Sequence, residues 1–222
     1  MPVLDEAERI AAALAALAPY RGAELIVVDG GSRDGTVDIA RAHADAVVTA
    51  PRGRAVQMNA GAAVAHGEVL LFLHADTRLP DDADRLIHDG LARSGRAWGR
   101  FDIAIAGRGA LLTAVACTMN LRSRLTGIAT GDQAMFVTRD AFARLGGFAD
   151  IALMEDIDLS RRLKRVSRPL CLRARVTTSG RRWEQHGVVR TILLMWRLRL
   201  AYFLGAEPAL LARRYGYVPR ER

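Results

Sequence analysis

Apolar positions in the first 95 residues follow two periods, one typical of helices and one of buried strands. Continuous apolar runs closed by glycine or polar turns indicate strands covered on both faces. Apolar residues at every third or fourth position, with acids near the start, indicate amphipathic helices. The predicted order alternates helix and strand, beginning with a helix, over residues 5–19, 23–31, 36–44, 45–51, 54–67, 68–76 and 81–95. This alternation predicts an α/β fold with a mainly parallel central sheet and helices on both faces.

The second half of the chain is less regular. Residues 97–107 alternate like a half-buried strand, and 110–125 form an apolar helix. Residues 133–148 predict strand, turn and helix, and 155–166 predict a helix with acids at its start and bases at its end. We find no internal repeat, low-complexity linker or clean domain boundary.

The opening of the chain does not fit a complete doubly wound sheet. The segment "MPVLDEAER" places residue 1 directly at the loop that should follow a first strand. Such sheets have their first strand near the centre, so we expect this core strand to be missing from the chain.

Composition is that of a folded α/β protein, but charge is unevenly distributed. Residues 161–222 hold 16 Lys and Arg against 3 acids, and residues 1–160 hold 16 against 21. The basic C-terminal third predicts an anionic ligand or membrane surface, although a solvated arginine-rich face is equally compatible. Cys117 and Cys171 lack metal-ligand spacing and favour a reducing cytoplasm. No apolar run is long enough for a membrane span, and 187–205 is interrupted by arginines, which indicates an interfacial or core helix.

Four polar clusters follow predicted strands or begin helices. Each is compatible with ligand binding and, equally, with turn formation or helix capping. They are the Gly-rich turn from Asp29 through Gly31 to Thr36, Arg52 and Arg54 before Gln57 and Asn59, His74 with Asp76, and Glu155 with Asp156 and Asp158. A loop containing Arg181, Arg182 and Trp183 is a candidate clamp for a departing diphosphate. For Asp76, one carboxylate would need substrate phosphate and water to complete a divalent metal site. We expect His74 to pack rather than to bind the metal.

The order of these clusters resembles that in the family 2 glycosyltransferases, which are inverting enzymes of the GT-A fold. "PVLDEAERI" is similar to their opening loop, "VVDGGSRDGT" to their V-V-D-D-G-S-x-D-G-T motif, and "HADT" to their D-x-D metal motif with one acid kept. "MEDIDLSRRL" matches the helix that carries their base, "GDQAMFVTRDAFARLGGF" the acceptor segment, and "RRW" the motif over the diphosphate. "PRGRAVQMNAGA" with "FLHADT" resembles a bacterial subgroup associated with arsenosugar biosynthesis.

The resemblance implies one glycosyltransferase domain over 1–205, with a nucleotide-binding half (1–95), an acceptor and catalytic half (96–185) and a basic amphipathic helix (186–205). A basic tail, 206–222, follows. It implies transfer of a sugar from a nucleotide-diphosphate sugar to a hydroxyl on a small molecule or lipid carrier, in the cytoplasm or at the inner face of the membrane. A peripheral contact with an anionic membrane surface is part of that expectation.

The same resemblance implies a role for each site residue. Asp156 is expected to act as base beside Glu155, and Asp76 to hold Mn²⁺ or Mg²⁺ at the diphosphate with help from Arg181, Arg182 and Trp183. The remaining expected contacts are Pro2, Leu4, Glu6, Asp29, Gly31, Arg54 and Asn59 for the nucleotide sugar, and Gly131, Asp132 and Gln133 for the acceptor.

Two alternatives stay open from the residues alone. A Rossmann-like methyltransferase could use Asp29 to hold a ribose, but the chain lacks a Gly-rich loop after a first strand and such an enzyme has no use for "EDIDL" or "RRW". A basic binding protein could use the C-terminal third on a nucleic acid or a membrane, but we find no recognised nucleic-acid module and expect no nucleic-acid partner.

Overall fold

The computed structural model describes residues 1–20, 22–107 and 109–218. Its strands are β1 (Pro2–Val3), β2 (Ile26–Asp29), β3 (Ala46–Thr49), β4 (Val69–Leu71), β5 (Thr77–Arg78), β6 (Trp98–Ile105), β7 (Phe136–Thr138) and β8 (Leu170–Thr178). Its helices are α1 (Ala7–Ala15), α2 (Thr36–Arg41), α3 (Arg54–Val64), α4 (Ala83–Ser94), α5 (Ala110–Thr126), α6 (Arg139–Arg144), α7 (Glu155–Leu163), α8 (Arg181–His186), α9 (Val188–Phe203) and α10 (Pro208–Tyr215). A short 3-10 turn covers Gly131–Gln133.

The strands form two sheets. In the first, β1, β2 and β3 are parallel, as the alternation of strands and helices predicts. In the second, the order is β4-β7-β6-β8-β5, where only β6 and β8 run parallel. The α/β fold is therefore the predicted one, while its second half is a mixed sheet. Helix α10 lies within the segment 206–222, which was predicted as a basic tail after a domain end at 205. Residues 219–222 of that segment lie outside the described part of the chain.

The first strand is present only as a stub. Pro2 and Val3 pair with Val28 and Asp29, and Met1 extends the ladder by accepting a 2.8 Å hydrogen bond from the Val28 N–H. Beside this stub, a cavity of about 470 Å³ separates β2 from β4, and its apolar lining includes Ile26 and Leu70. The first core strand, which was predicted to be missing, is thus reduced to two residues, and a gap lies between the two sheets.

This gap changes the surroundings of β4. The strand predicted over 68–76 should, as a continuous apolar run, lie inside the mainly parallel sheet, and that prediction is wrong. β4 pairs antiparallel with β7 on one side, and its other side lines the cavity. Its apolar residues are nevertheless covered, since Leu70, Phe72 and Leu73 are buried in the cores that the helices form over this sheet.

Helix α3 holds the first sheet in place through a close approach. A Cβ atom on Gly61 would lie 2.9 Å from Cγ2 of Val28, so only glycine allows the helix to pack this near to β2. The ends of β2 and β4 then reach the same side of the molecule as the start of α7, and the candidate site lies there.

Candidate active site

Side-chain hydrogen bonds join the loop after β1 to the loop after β2. The Asp5 N–H donates to Ser32 Oγ at 2.9 Å, and the Arg33 N–H donates to Asp5 Oδ1 at 2.8 Å. Asp34 accepts from the N–H of Ala7 at 3.0 Å, which also caps the start of α1. These bonds join the predicted contact loop, Pro2 to Glu6, to the Gly-rich turn after β2. They make one preformed surface from two segments that lie far apart in the sequence.

The Asp29 side chain hydrogen-bonds to the backbone of the Gly-rich turn. The residue is 3% exposed, and its carboxylate accepts hydrogen bonds from the N–H groups of Gly31 (2.9 Å) and Ser32 (3.1 Å). Gly31 has φ = 95°, a conformation that favours glycine. Asp29 therefore shapes the Gly-rich turn, whether or not it also meets a ribose.

Gln57 makes a structural contact that its position in the sequence did not predict. Its buried Nε2 donates to the carbonyls of Val3 (2.9 Å) and Val28 (2.8 Å), so it ties β1 to β2 from α3. Asn59, two residues later, exchanges hydrogen bonds with the backbone of Phe148 at 2.8 and 2.9 Å. Asn59 thus connects α3 to the segment after α6. A polar residue on an otherwise apolar helix face was the available signal for both.

Asp76 is exposed and has one weak contact, a 3.4 Å hydrogen bond from Thr77 Oγ1. Among the described residues no group of three or more His, Cys, Asp or Glu side chains is placed to hold a metal ion. A free, exposed carboxylate fits Mg²⁺ or Mn²⁺ only where substrate phosphates and water complete the shell. The donor set at Asp76 therefore fits a metal that arrives with a diphosphate.

His74 packs against the turn that contains the predicted acceptor residues. Its Nδ1 lies 3.5 Å from Asp132 Oδ1, and a Cβ atom on Gly131 would lie only 2.6 Å from its Cε1. Desolvation opposes ionisation of Asp132, but His74, Arg54 and Arg199 outweigh it and lower the pKa of Asp132. Gln133, at the end of this turn, is buried, and its Oε1 caps the turn by accepting from the Thr130 N–H. The three predicted acceptor residues thus form one turn packed on His74.

Asp156 joins this turn to the start of α7. Its Oδ2 accepts from the Gly131 N–H at 2.9 Å, and its Oδ1 accepts from the Ile157 N–H at 2.7 Å. Met154, which precedes the helix, has φ = 73° and turns the chain so that the first acids of α7 face the turn. A carboxylate held by two backbone donors keeps further lone pairs for a proton or a ligand.

Glu155 is 5% exposed, unlike its neighbour. Burial first, and then the charge of Asp156, raise its pKa to about 7. Arg54 is close enough to act on both acids. Desolvation by itself would lower the pKa of Arg54, but Glu155, Tyr215, Asp132 and Asp156 raise it. Arg54 therefore lies near the two acids at the start of α7, and its side chain remains exposed.

The segment predicted as a loop around Arg181, Arg182 and Trp183 is a short helix, α8, and that prediction is wrong. Glycines at 180 and 187 bound it, and the N–H groups of Trp183 and Glu184 donate to the Gly180 carbonyl. Arg181 Nε donates to Ser179 Oγ at 3.0 Å. Arg182 donates to the Tyr215 carbonyl at 2.7 Å and stacks 3.7 Å from the Tyr215 ring centroid. The basic motif is thus anchored by α10, which sequence reasoning did not connect to the site.

Residues 1–142 match the sequence model of Glycosyl transferase family 2. The chain belongs to this family. The match covers the first sheet and the turn at Gly131–Gln133, so the predicted resemblance to family 2 is confirmed, and the methyltransferase alternative loses its support. None of the curated protein sequences compared with this family 2 chain matches it.

Solved structures of glycosyltransferases share the fold of this family 2 protein. One is S. aureus TarS 1–349 in complex with UDP-GlcNAc, with a TM-score of 0.65, 18% identity, and coverage of 80% of this chain and 56% of that one. Another is the mannosyltransferase PcManGT from Pyrobaculum calidifontis in complex with GDP-Man and Mn²⁺, with a TM-score of 0.60, 21% identity, and coverage of 98% and 64%.

A third similar structure is glucosyl-3-phosphoglycerate synthase from Mycobacterium tuberculosis in complex with Mn²⁺, UDP and glucosyl-3-phosphoglycerate. Its TM-score is 0.53, its identity 18%, and the aligned region covers 80% of this chain and 68% of that one. The family 2 chain spans between 56% and 59% of the TarS 1–349 structures that it matches. These likenesses confirm the predicted fold.

Proposed function

We propose that this protein transfers a sugar from a nucleotide-diphosphate sugar to a hydroxyl acceptor with inversion at the anomeric carbon. One observation carries the proposal: the carboxylate of Asp156 is fixed at 2.9 Å by the backbone of the acceptor turn, at Gly131. In an inverting transfer the acceptor hydroxyl loses its proton as it attacks, and a carboxylate beside the acceptor is the group that can take it. Membership of family 2 supports the same reaction class.

The two adjacent acids have different environments and therefore different roles. Asp156 has two backbone donors on its carboxylate, which stabilise the charged form that accepts a proton. Burial and the charge of Asp156 raise the pKa of Glu155 to about 7, so near neutral pH Glu155 is partly protonated. We assign the base to Asp156. Glu155 supports it indirectly, because Glu155 and Asp156 both interact electrostatically with Arg54.

The diphosphate side of the proposal uses Asp76 and the basic helix α8. A divalent ion held by Asp76 together with the donor phosphates would supply charge neutralisation for the leaving group. Arg182 is held by Tyr215 and Arg181 by Ser179, so both guanidinium groups are positioned from within the protein. Preorganised cations of this kind stabilise developing negative charge without reorganisation.

The nucleoside is assigned to the joined loops at the end of β2. Pro2, Leu4 and Glu6 form one wall, and Gly31 lies in the other, which Asp29 shapes. The Glu6 N–H donates to Thr36 Oγ1 at 2.8 Å, so this wall is fixed before a ligand arrives. Asn59 acts indirectly, because its side chain donates a hydrogen bond to the Phe148 carbonyl and so positions that segment.

A thermal-shift screen tests the donor class. UDP, GDP, dTDP and CDP are each added with Mg²⁺, with Mn²⁺ and with chelator. We expect one nucleoside diphosphate to raise the melting temperature in a metal-dependent way, since a ligand bound only by the folded state stabilises it. No shift with any of the four would contradict the proposed donor.

Asp156→Asn tests the base. We expect a loss of transfer of at least about a hundredfold, because general base catalysis contributes 10²–10⁴-fold. Nucleoside diphosphate affinity should stay within about threefold, since Asp156 contacts the acceptor turn and not the nucleotide loops. Asp140→Asn, at an exposed acid paired with Arg144, is the matched control and should keep full activity. A variant at Asp156 with more than a tenth of the normal rate would remove it from this role.

The narrower subgroup remains part of the proposal. The segments "PRGRAVQMNAGA" and "FLHADT" support a place among the bacterial glycosyltransferases associated with arsenosugar biosynthesis. An acceptor screen that includes arsenosugar precursors tests this placement, and turnover of none of them would count against it.

We also propose a peripheral contact with an anionic membrane at the cytoplasmic face. Helix α9 presents a continuous apolar stripe in which each side chain is between 47% and 68% exposed, formed by Val189, Leu193, Trp196, Leu200 and Phe203. The exposed Arg190 and Arg197 flank it and suit anionic headgroups. No helix of the described residues is long and apolar enough to cross a membrane.

Vesicle sedimentation tests this contact. We expect binding to phosphatidylglycerol vesicles that Trp196→Ser weakens at least about fivefold. Leu111→Ser, at an exposed leucine near the start of α5, is the control and should bind normally. Equal binding of the Trp196 variant and the parent protein would exclude α9 as the membrane face.

A further inference from the structure

Two arginines on separate helices lie close enough to Asp156 to feel its charge, and neither has a hydrogen-bonding partner among the described residues. Arg122 lies on α5 and Arg199 on α9. The charge of Asp156 acts on both, and the charge of Arg199 acts on Arg122, so the three groups lie in one electrostatic neighbourhood. Neither side chain makes a hydrogen bond or an ion pair with another described residue.

The guanidinium group of Arg122 is partly withdrawn from water. Its Nε and Nη2 are buried and have no partner. Burial and the nearby Arg199 lower the pKa of Arg122 to about 10, and burial also lowers the pKa of Arg199, although Asp156 and Asp132 oppose that. Both groups remain charged at neutral pH. Two like charges held together out of water cost free energy unless an anion compensates them.

Two other covered arginines of this region are paired with a carboxylate. Arg100 is fully buried, and it binds Asp102 and donates to the Asn120 carbonyl at 3.2 Å. Arg162 lies 2.7 Å from Asp158 on the same helix. Arg122 and Arg199 have no such protein carboxylate within bonding distance. A role in holding the fold therefore does not account for the pair.

The location of the pair indicates which substrate it serves. The carboxylates that act on the two arginines are Asp156 and Asp132, which belong to the base and the acceptor turn. The nucleotide loops at Asp29 and the exposed Asp76 lie at the ends of other strands. An anion between Arg122 and Arg199 would therefore be attached to the molecule whose hydroxyl meets Asp156.

We propose that Arg122 and Arg199 bind a phosphate group of the acceptor. Two guanidinium groups match the charge of a phosphate dianion, and their planar donor sets suit its oxygens. The proposal rests on the function proposed above and adds the chemical class of the acceptor: a phosphorylated hydroxyl compound, carried either by a soluble ester or by a lipid headgroup. The pair also fixes the acceptor's direction, because it holds the phosphate while the hydroxyl faces the base.

The test is a calorimetric titration of the whole protein with glycerol 3-phosphate and, as its neutral counterpart, glycerol. Both are titrated with and without the nucleoside diphosphate that the thermal-shift screen selects. We expect glycerol 3-phosphate to bind and glycerol not to bind. Arg122→Gln and Arg199→Gln should each weaken glycerol 3-phosphate at least about tenfold. Arg93→Gln, at an exposed arginine in the last turn of α4, is the matched control and should bind like the parent protein.

Each outcome supports or overturns the assignment. Failure of glycerol 3-phosphate to bind the parent protein, or equal affinity in parent and variants, would overturn it. A fall of nucleoside diphosphate affinity in the variants, equal to the fall for glycerol 3-phosphate, would assign the pair to the donor instead and overturn the acceptor role. If Arg122→Gln does not fold, Arg199→Gln tests the same site, because it removes the second guanidinium group and leaves Arg122 in place.

The same design separates this inference from the proposed function. If no nucleoside diphosphate binds, the donor proposal fails, while the titration without nucleotide still tests the arginine pair. To distinguish the two sources of phosphate, binding of the Arg199→Gln variant is compared on phosphatidic acid vesicles and with soluble glycerol 3-phosphate. A loss with both probes indicates recognition of the phosphate alone, and a loss confined to vesicles indicates a lipid acceptor.

Discussion

Replacement of Glu155 by Gln should change how the stability of the protein depends on pH. The group has an ordinary pKa of 4.5 and a folded-state pKa of about 7 because it is buried next to Asp156. The folded state therefore binds the proton more tightly than the unfolded chain does. Its stabilising contribution is fully present below about pH 4.5 and is lost as the pH rises through about 7.

The magnitude follows from the difference between the two values. A rise from 4.5 to about 7 corresponds to about 3 kcal/mol, at about 1.36 kcal/mol for each pKa unit. In a chain of this size, 1 kcal/mol shifts the melting temperature by roughly 2–4 °C.

The assay is urea unfolding of the parent protein and Glu155→Gln at pH 5 and pH 8. We expect the free energy of unfolding of the variant, relative to the parent, to increase by about 2–3 kcal/mol from pH 5 to pH 8, since Gln cannot ionise. Asp140→Asn, at an exposed acid, is the control and should leave the pH dependence unchanged. Parallel pH profiles for the parent and Glu155→Gln would refute the reasoning.

Three further changes have defined outcomes. Asn59→Ala removes both hydrogen bonds to Phe148 and should lower the free energy of unfolding by about 2 kcal/mol in urea melts, while nucleotide binding by the folded variant stays normal. Gly131→Ala should reduce transfer at least about tenfold because its Cβ would lie 2.6 Å from the His74 ring, and adding His74→Ala should restore part of the rate; equal rates for the single and double variants would exclude this clash as the cause. Asp76→Ala should abolish the gain in nucleoside diphosphate affinity that Mg²⁺ gives in calorimetry, and an unchanged gain would exclude Asp76 from the metal site.

The sequence predicted most elements because their patterns are local. The predicted strands of the first half and the helices α1 to α7 follow from apolar period and from glycine or proline at their ends. β8 was not predicted, since Arg173 and Arg175 interrupt its apolar residues; both side chains are exposed, so the face of the sheet that carries them is not covered. Helix α8 was predicted as a loop because its six residues show no helical apolar period.

The candidate site was predictable where its chemistry lies in one segment. Asp156, Glu155 and the turn at Gly131 stand in motifs that local spacing marks. Arg122, Arg199 and Tyr215 do not, because each is an ordinary residue of a long amphipathic helix. Only the tertiary approach of α5, α9 and α10 turns them toward Asp156, and no local pattern encodes that approach.

The short β1 also has a consequence for how the molecule opens. Among the described residues, the hydrogen bonds on the β1 side of β2 come from the two-residue β1, from Met1 and from the Gln57 side chain, and the cavity separates that sheet from β4. The first sheet therefore forms a weakly attached cooperative unit, and we expect its amides to exchange with solvent faster than those of β6 and β8. A donor that contacts both the loop after β2 and Asp76 after β4 would join the two units, so the substrate itself would complete the rigidity of the fold.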